Sequence, residues 1–456
     1  MRVKAPPPSP LPRPGVTALH RPPLHLPYLS VVARFWIGVA AGLAWAALSV
    51  WIARPWIGDL GDAIGTAPAI AVIAGIAIIP GYLNAQLVAS LLLDRQVPLR
   101  DDVELPPLAV LVAAFNEERT IAKTIAYALA QDYPAAFEVV VIDDGSTDDT
   151  AAIVRSFARI DPRVRLVSAK HGGKALALDS GLATVDAPAV ATIDADTLLM
   201  PGALRRLVGH LVLSPPDTTA VAGCVVVGNS RASALTSAQE WDYFLGISSI
   251  KREQALLQGT LVAQGAFSVY DTEALRRVGG WPDRIGEDIV VTWALLREGG
   301  RTGFEPTAVA FTQVPSGLRA FMRQRRRWAR GMIEGLRSHG RALLGQLGQR
   351  SHSVLGNLVF PYLDLTFTVA VPPGIVLACL GHFVIIGPLT IAVLPINAAV
   401  AGIMFLRQRA AFHEAGLRVR RNVLGFALYF LLYQLIMSPT SVAGYAQELF
   451  GARRRW

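Results

Sequence analysis

The feature that most limits what this chain can fold into is the length of its uncharged apolar runs. Ala33 to Ala53 (ARFWIGVAAGLAWAALSVWIA) contains one charge, Arg34, and Thr66 to Leu93 contains none. Leu355 to Leu406 carries a single carboxylate, Asp364, and no Lys or Arg; Asn422 to Ala446 is again uncharged. The hydrocarbon core of a bilayer takes about 20 residues of helix, so these runs predict two spans, then two, then one more. Core helices of soluble proteins rarely need such length, which disfavours a large water-soluble bundle. The chain has 456 residues, of which 52% are hydrophobic and 17% charged, against roughly 25% charged in soluble domains. The first run follows a leader with nine prolines and precedes a second span, unlike a cleaved signal. Two cysteines, Cys224 and Cys379, cannot make a disulfide framework.

Lys and Arg set the orientation. Arg2, Lys4, Arg13, Arg21 and Arg34 precede or open the first span, whereas Arg54 to Gly65 carries one Arg and two Asp. The middle region ends in an Arg-rich segment, and Arg407, Arg409, Arg418, Arg420 and Arg421 lie between the fourth and fifth expected spans. These place the N-terminus, the middle region and that loop on the cytoplasmic side. Arg453 to Arg455 would finish outside after a simple fifth span, unless a break at Pro439 makes the last segment dip and return.

From Asp94 to Pro315 the pattern changes. Short apolar runs, LAVLVAAF (108–115), FEVVVID (137–143), VRLVSA (164–169), AVATIDAD (189–196) and TAVAGCVVVG (219–228), alternate with helical stretches. This predicts an α/β domain, a mostly parallel sheet with crossover helices, inserted between transmembrane helices. Such sheets bind ligands at the carboxyl ends of their strands. The polar clusters fall there in turn: Asn116-Glu117, Asp143-Asp144, Lys170 to Lys174, and Asp194-Ala195-Asp196. In VVVIDDGSTDDT (139–150), Ser146 or Thr147 is expected to cap a helix whose first turn holds Asp148 and Asp149, leaving Asp143 and Asp144 for chemistry.

Residues i and i+2 of a strand share a side, so Asp194 and Asp196 can aim two carboxylates at one point, which suits Mg2+ or Mn2+. A plain strand-end turn has the same spelling; the apolar strand and the nearby Asp143-Asp144 favour the cation. In KHGGKALALDSGL (170–182), Gly172 and Gly173 let backbone approach a ligand and Lys174 opens a helix, which suits phosphate; taken alone, the stretch fits a flexible turn with a solvated lysine better. Glu287 and Asp288, in GEDIVVTWALLREGG (286–300), are either first-turn acids favoured by the helix dipole or a general base for a substrate hydroxyl. SGLRAFMRQRRRWARGMIEGLRSHGR (316–341) is a basic amphipathic helix with eight arginines. Beside membrane spans such a helix lies in the interface, with Arg319, Arg337 and Arg341 at lipid phosphates. That location argues against nucleic acid as its partner.

In order, the motifs are AAFNEE, DDGSTD, GGKALAL, DAD, AQGAFSVYDTEALRRVGGW, GED and Gln324-Arg325-Arg326-Arg327-Trp328, a Q-x-x-R-W pattern. With them the sequence resembles the processive membrane-embedded family 2 glycosyltransferases, which include the cellulose, hyaluronan, chitin and poly-N-acetylglucosamine synthases. The likeness covers Leu108 to Gly331 and looks closest to the bacterial poly-β-1,6-N-acetylglucosamine synthases. The resemblance implies a GT-A fold, a UDP-sugar donor (UDP-N-acetylglucosamine first), a growing polysaccharide as acceptor, and Mg2+ or Mn2+. It further implies the lipid bilayer and a small membrane accessory subunit as partners, with no nucleic acid. By the same resemblance Glu117, Asp143 and Asp144 serve the nucleotide, Lys174 lies near the phosphates, and Asp194 faces the nucleotide-sugar and joins Asp196 at the metal. Asp288 is the base with Glu287 beside it, Arg327 reaches the diphosphate, and Gln324 and Trp328 meet the acceptor, Trp328 by stacking on its sugar.

Attack by an activated hydroxyl opposite the leaving group inverts the anomeric carbon; it needs one base and no protein nucleophile, while a cation and Arg stabilise the departing diphosphate. The implied layout is a Pro-rich cytoplasmic leader (1–32), two transmembrane helices (33–93), a cytoplasmic GT-A domain (94–315), interfacial helices with Q-x-x-R-W (316–352) and C-terminal transmembrane helices (353–456), in the cell's inner membrane. A single-addition transferase acting on a lipid-linked or other glycan, or a synthase of another polysaccharide, would use the same motifs. A non-catalytic scaffold would have broken acids, and a transporter would leave the middle domain without a purpose. Asp179 stands where the family often has Asn, and Gly286 where Thr is common. Asp364 and Gln434 either line an export path or bond other helices, and helix bonding is favoured for Asn84 and Gln86.

Overall fold

The computed structural model describes residues 29–94, 103–345 and 349–451; most of the Pro-rich leader and the Arg453 to Arg455 tail lie outside them. The middle of the chain forms one eight-stranded sheet: β1 (Leu108–Ala114), β2 (Phe137–Asp143), β3 (Val164–Ser168), β4 (Ala189–Asp194), β5 (Leu198–Leu199), β6 (Thr218–Val227), β7 (Phe267–Asp271) and β8 (Arg301–Thr312). Their spatial order is β3-β2-β1-β4-β7-β6-β8-β5. β3, β2, β1 and β4 run parallel, with crossover helices between them. Both faces are covered. Val110, Val112, Val139 and Val141 pack with Ile121 and Ile125 on one side, while Leu111, Val140 and Ile142 pack with Leu178 and Trp281 on the other. Burial on both faces is why these strands read as unbroken apolar runs.

The other half of the sheet is mixed rather than mostly parallel. β7 is antiparallel to β4 and β6, β6 and β8 are parallel, and β5 is antiparallel to β8. The five strands expected from the sequence are all present; β5, β7 and β8 were not expected. β8 hides its nature behind Glu305 and Pro306. Glu305 is buried against His210 at 2.8 Å, and a register shift between Gly223 and Cys224 carries β6 past the proline. A buried polar contact and a bulge remove the objections that a carboxylate and a proline raise against a strand.

Among the described residues four helices are long and apolar enough to cross a membrane: Val31–Ile64, Thr66–Leu92, Ser351–Cys379 and Val423–Leu449. The helix Pro388–Glu414 takes the place of the expected fourth span. Its C-terminal half packs on the sheet domain, with Met404 and Phe412 in one cluster with Cys224 and Phe244. Gln86, Asp364 and Gln434 bond other helices. Gln86 Oε1 lies 2.9 Å from His352 Nε2. Asp364 accepts from Ser438 Oγ at 2.6 Å, from Tyr445 OH at 2.8 Å and from Gln434 Nε2 at 3.4 Å.

The last span also clamps the basic helix Leu318–Gly335: Tyr445 packs with Ala329 and Ile333, and Gly444 lies against Arg326. Arg337 is engaged there too, donating to Glu448 O at 3.0 Å. Because Asp364 is buried, removing a donor should be costly, by about 1–3 kcal/mol. Tyr445→Phe should therefore lower the thermal midpoint of the detergent-solubilised protein, and an unchanged midpoint would contradict the role given to this network.

Candidate active site

The carboxyl ends of β4, β6 and β8 open onto a cavity of about 510 Å3. It gathers eight residues singled out in the sequence: Lys174, Asp194, Asp196, Glu287, Asp288, Gln324, Arg327 and Trp328. They come from four separate stretches of chain, and its size suits a ligand pocket.

Lys174 opens the helix Lys174–Leu182 after Gly173, whose φ is +92°. Its Nζ bonds Asp194 Oδ1 and lies 3.8 Å from Glu287 Oε1. Burial works against its charge, yet the two carboxylates hold its pKa above the ordinary lysine value. Room for the ammonium exists because residue 265 is glycine; a Cβ there would sit 2.6 Å from Lys174 Nζ. Asp196 is pushed up to about 6 by burial and by the charge of Asp194, while the Thr312 hydroxyl donates to its Oδ1 at 3.2 Å.

No group of three or more protein ligands suited to a metal forms among the described residues. Two mutually repelling carboxylates on one cavity do fit a hard divalent cation whose other positions are filled by substrate oxygens and water, the usual arrangement for magnesium.

Glu287 and Asp288 begin the helix Glu287–Arg297. Burial, then the Asp288 charge, push Glu287 up to about 7, with Lys174 opposing. Asp288 Oδ1 accepts the Ile289 amide at 2.9 Å. Gly286 has a steric cause: a Cβ there would lie 2.5 Å from Gly331 Cα, so the start of the Glu287–Arg297 helix and the basic helix meet backbone to backbone. The other departure, Asp179, lies outside the cavity lining and accepts the Trp281 amide at 2.8 Å.

Glu117, Asp143 and Asp144 do not line the cavity. Asp144 accepts the Gly172 amide at 2.8 Å and the Gly173 amide at 2.9 Å, with His171 Nδ1 3.0 Å away, so it pins the glycine loop that delivers Lys174. Asp143 accepts the Ser146 amide at 3.1 Å. Glu117 takes the Thr120 hydroxyl at 2.5 Å, and its charge reaches Asp196. The expected cap is not made: the helix starts at Thr150 with Asp149 at its N-cap and no side-chain cap bond, Ser146 Oγ accepts the Asn116 amide, and Asp148 accepts the Thr150 and Glu118 amides.

Several neighbours escaped the sequence reading. Phe115 and His171 stack at the rim, with ring centres 4.2 Å apart. Lys251 lines the cavity. Arg325, a position of the Q-x-x-R-W run to which the sequence gives no role, is 1% exposed, pairs with Asp242 at 2.9 Å and lies 4.1 Å from the centre of the Trp328 ring. The pairing partner is far away in sequence, so no local signal marks it. The neighbouring Gln324 Oε1 is buried with no hydrogen-bond partner among the described residues.

Residues 106–331 match the family described as glycosyltransferase like family 2. Over 234 residues the chain is 33% identical to the poly-β-1,6-N-acetyl-D-glucosamine synthase of Staphylococcus aureus strain COL, covering 51% of this chain and 56% of that protein. The synthase of the same name from Staphylococcus epidermidis is 32% identical over 230 residues, 50% of this chain and 55% of that one. The chain thus spans about half the length of the curated relatives it matches. Among solved structures, the mannosyltransferase PcManGT from Pyrobaculum calidifontis, in complex with GDP-Man and Mn2+, superposes with a TM-score of 0.53 at 20% identity, covering 93% of this chain and 100% of that one. At that identity the likeness concerns the fold, a GT-A-like mixed sheet.

The raised pKa of Glu287 has a consequence for stability. The folded state binds its proton more tightly than an unfolded glutamate does, so stability is lost as pH rises from about 4.5 through about 7. Glu287→Gln should raise the thermal midpoint relative to wild type near pH 8 and change it little near pH 4; an equal shift at both would contradict the burial of that carboxylate.

Proposed function

We propose that this chain, whose residues 106–331 form a glycosyltransferase family 2 domain, is an inverting glycosyltransferase that moves N-acetylglucosamine from UDP-N-acetylglucosamine onto a growing polysaccharide at the cytoplasmic face of a membrane. The observation that carries the reading is the composition of the cavity: the cations Lys174 and Arg327, the paired carboxylates Asp194 and Asp196, a further carboxylate at Asp288 and the aromatic face of Trp328, all lining one space. Lys174 and Arg327 orient the diphosphate, and Asp194 with Asp196 would hold Mg2+ or Mn2+. That ion supplies Lewis-acid stabilisation of the departing diphosphate. Asp144 works one step back, through the Gly172-Gly173 loop, and the Phe115–His171 stack offers a flat surface for the base. Asp288 takes the proton of the acceptor hydroxyl. The exposed part of Trp328 packs on the acceptor sugar while Arg325 fixes its other face, and Gln324 offers its free carbonyl to a sugar hydroxyl.

The choice of N-acetylglucosamine and of a polymer rests on the two staphylococcal relatives. Export is supported by a second cavity of about 230 Å3, lined by Asn84, Gln86, Gln254, His352 and Asn357, between membrane helices and Ser248–Leu256. The purified protein in lipid should release UDP from UDP-N-acetylglucosamine in preference to other UDP-sugars, and its product should yield to a β-1,6-specific glycosidase. EDTA should abolish the activity, and Mg2+ or Mn2+ should restore it. Full activity in chelator would remove the metal role from Asp194 and Asp196, and no turnover of any UDP-sugar would overturn the reading.

A further inference from the structure

Helix Ser248–Leu256 carries a buried lysine that the roles above leave unused. Lys251 is 7% exposed and lines the active-site cavity. Its Nζ donates to Val262 O at 2.7 Å and to Gln264 Oε1. The Gln264 amide is itself oriented by donating from Nε2 to Gly223 O at 2.6 Å, so its oxygen is the atom turned to the lysine. Both partners are neutral oxygens. An ammonium has three protons. Two are committed to Val262 and Gln264, and the third is left for the cavity.

The titratable groups that act on Lys251 are Asp288, on the helix Glu287–Arg297, and Cys224 on β6. Its helix neighbours are engaged elsewhere: Arg252 pairs with Asp94 at 2.5 Å, and Glu253 lines the cavity among the membrane helices. Of the remaining cavity charges, Lys174, Asp194 and Glu287 are grouped with one another, and Asp196 and Arg327 line the same space.

We propose that Lys251 contacts the acceptor: its third N–H donates to an oxygen of the saccharide seated beside Asp288. The inference rests on the glycosyltransferase reading. The donor diphosphate has Lys174 and Arg327, whereas the carboxylate whose field reaches Lys251 is the one assigned to the acceptor hydroxyl. Burial pulls the amine down to about 7, with Asp288 opposing. Below that pH the cavity presents a donor. Above it the neutral amine spends both protons on Val262 and Gln264 and turns a lone pair toward the acceptor. Acceptor binding therefore weakens as pH rises through neutrality.

The test uses the full chain in lipid nanodiscs, loaded with UDP, and a β-1,6-linked N-acetylglucosamine oligosaccharide as probe. Its affinity is measured near pH 6 and near pH 8.5 for wild type, Lys251→Met and Lys251→Arg. Wild type should bind the oligosaccharide roughly tenfold more tightly at the lower pH, the strength of one charge-assisted hydrogen bond. Lys251→Met should lose that advantage, Lys251→Arg should keep tight binding at both values, and UDP affinity should be common to all three. A flat pH response of wild type overturns the proposal without recourse to any variant. So does oligosaccharide affinity equal in wild type and Lys251→Met near pH 6, or a loss in Lys251→Met that is the same at both pH values and marks a packing role. Failure of the glycosyltransferase reading is seen separately, as absence of UDP release from any UDP-sugar by wild type.

Discussion

The buried guanidinium of Arg325 constrains the architecture more than any other group. Removing a charge from water costs several kcal/mol and is tolerated only when partners surround it. Asp242 supplies the counter-charge at 2.9 Å, and the faces of Trp328, Phe321, Tyr243 and Tyr433 surround it at 4.1 to 6.0 Å. Tyr433 donates to the same Asp242 at 2.9 Å. These residues come from the sheet domain, the basic helix and the last membrane helix, so one desolvated cation requires all three parts to assemble together. Cation–π contacts in such dry surroundings are worth about 2 kcal/mol or more, which helps offset the burial.

The neighbours of Arg325 on the same helix inherit this rigidity. Gln324, Arg327 and Trp328 line the cavity from a helix held on one side by Gly286 against Gly331 and on the other by Gly444 against Ala329 and Arg326. Close backbone approach at both contacts needs glycine, because a side chain at either position would meet main-chain atoms. Acids on the sheet and the Q-x-x-R-W side chains are thereby brought around one space, although more than 100 residues separate them in the chain.

Much of this was legible in the sequence because it depends on local pattern. The parallel strands bury both faces, so β1, β2 and β4 appear as apolar runs, and the acids follow directly at their ends. β8 was not legible, because its Glu305 is buried against His210 and its proline is passed by a bulge, both non-local. The acidic cluster after β2 was half legible: Asp143 and Asp144 do sit at the strand end, but neither Ser146 nor Thr147 caps the helix, since the loop after β1 recruits Ser146 for the Asn116 amide and the N-cap position falls to Asp149. Arg325 and Lys251 were invisible for the same reason as β8. A cation in an amphipathic helix looks solvated until the fold shows which carboxylate or carbonyl it meets.

The central claim is that Asp288 accepts the proton of an acceptor hydroxyl in a cavity that separately binds the donor. It is tested most directly by Asp288→Asn in the lipid-reconstituted chain, with UDP affinity and sugar transfer measured on the same preparation. UDP should bind as in wild type, and transfer should fall by roughly 100-fold or more, the share a general base contributes. Transfer at the wild-type rate by a variant that still binds UDP would contradict the account.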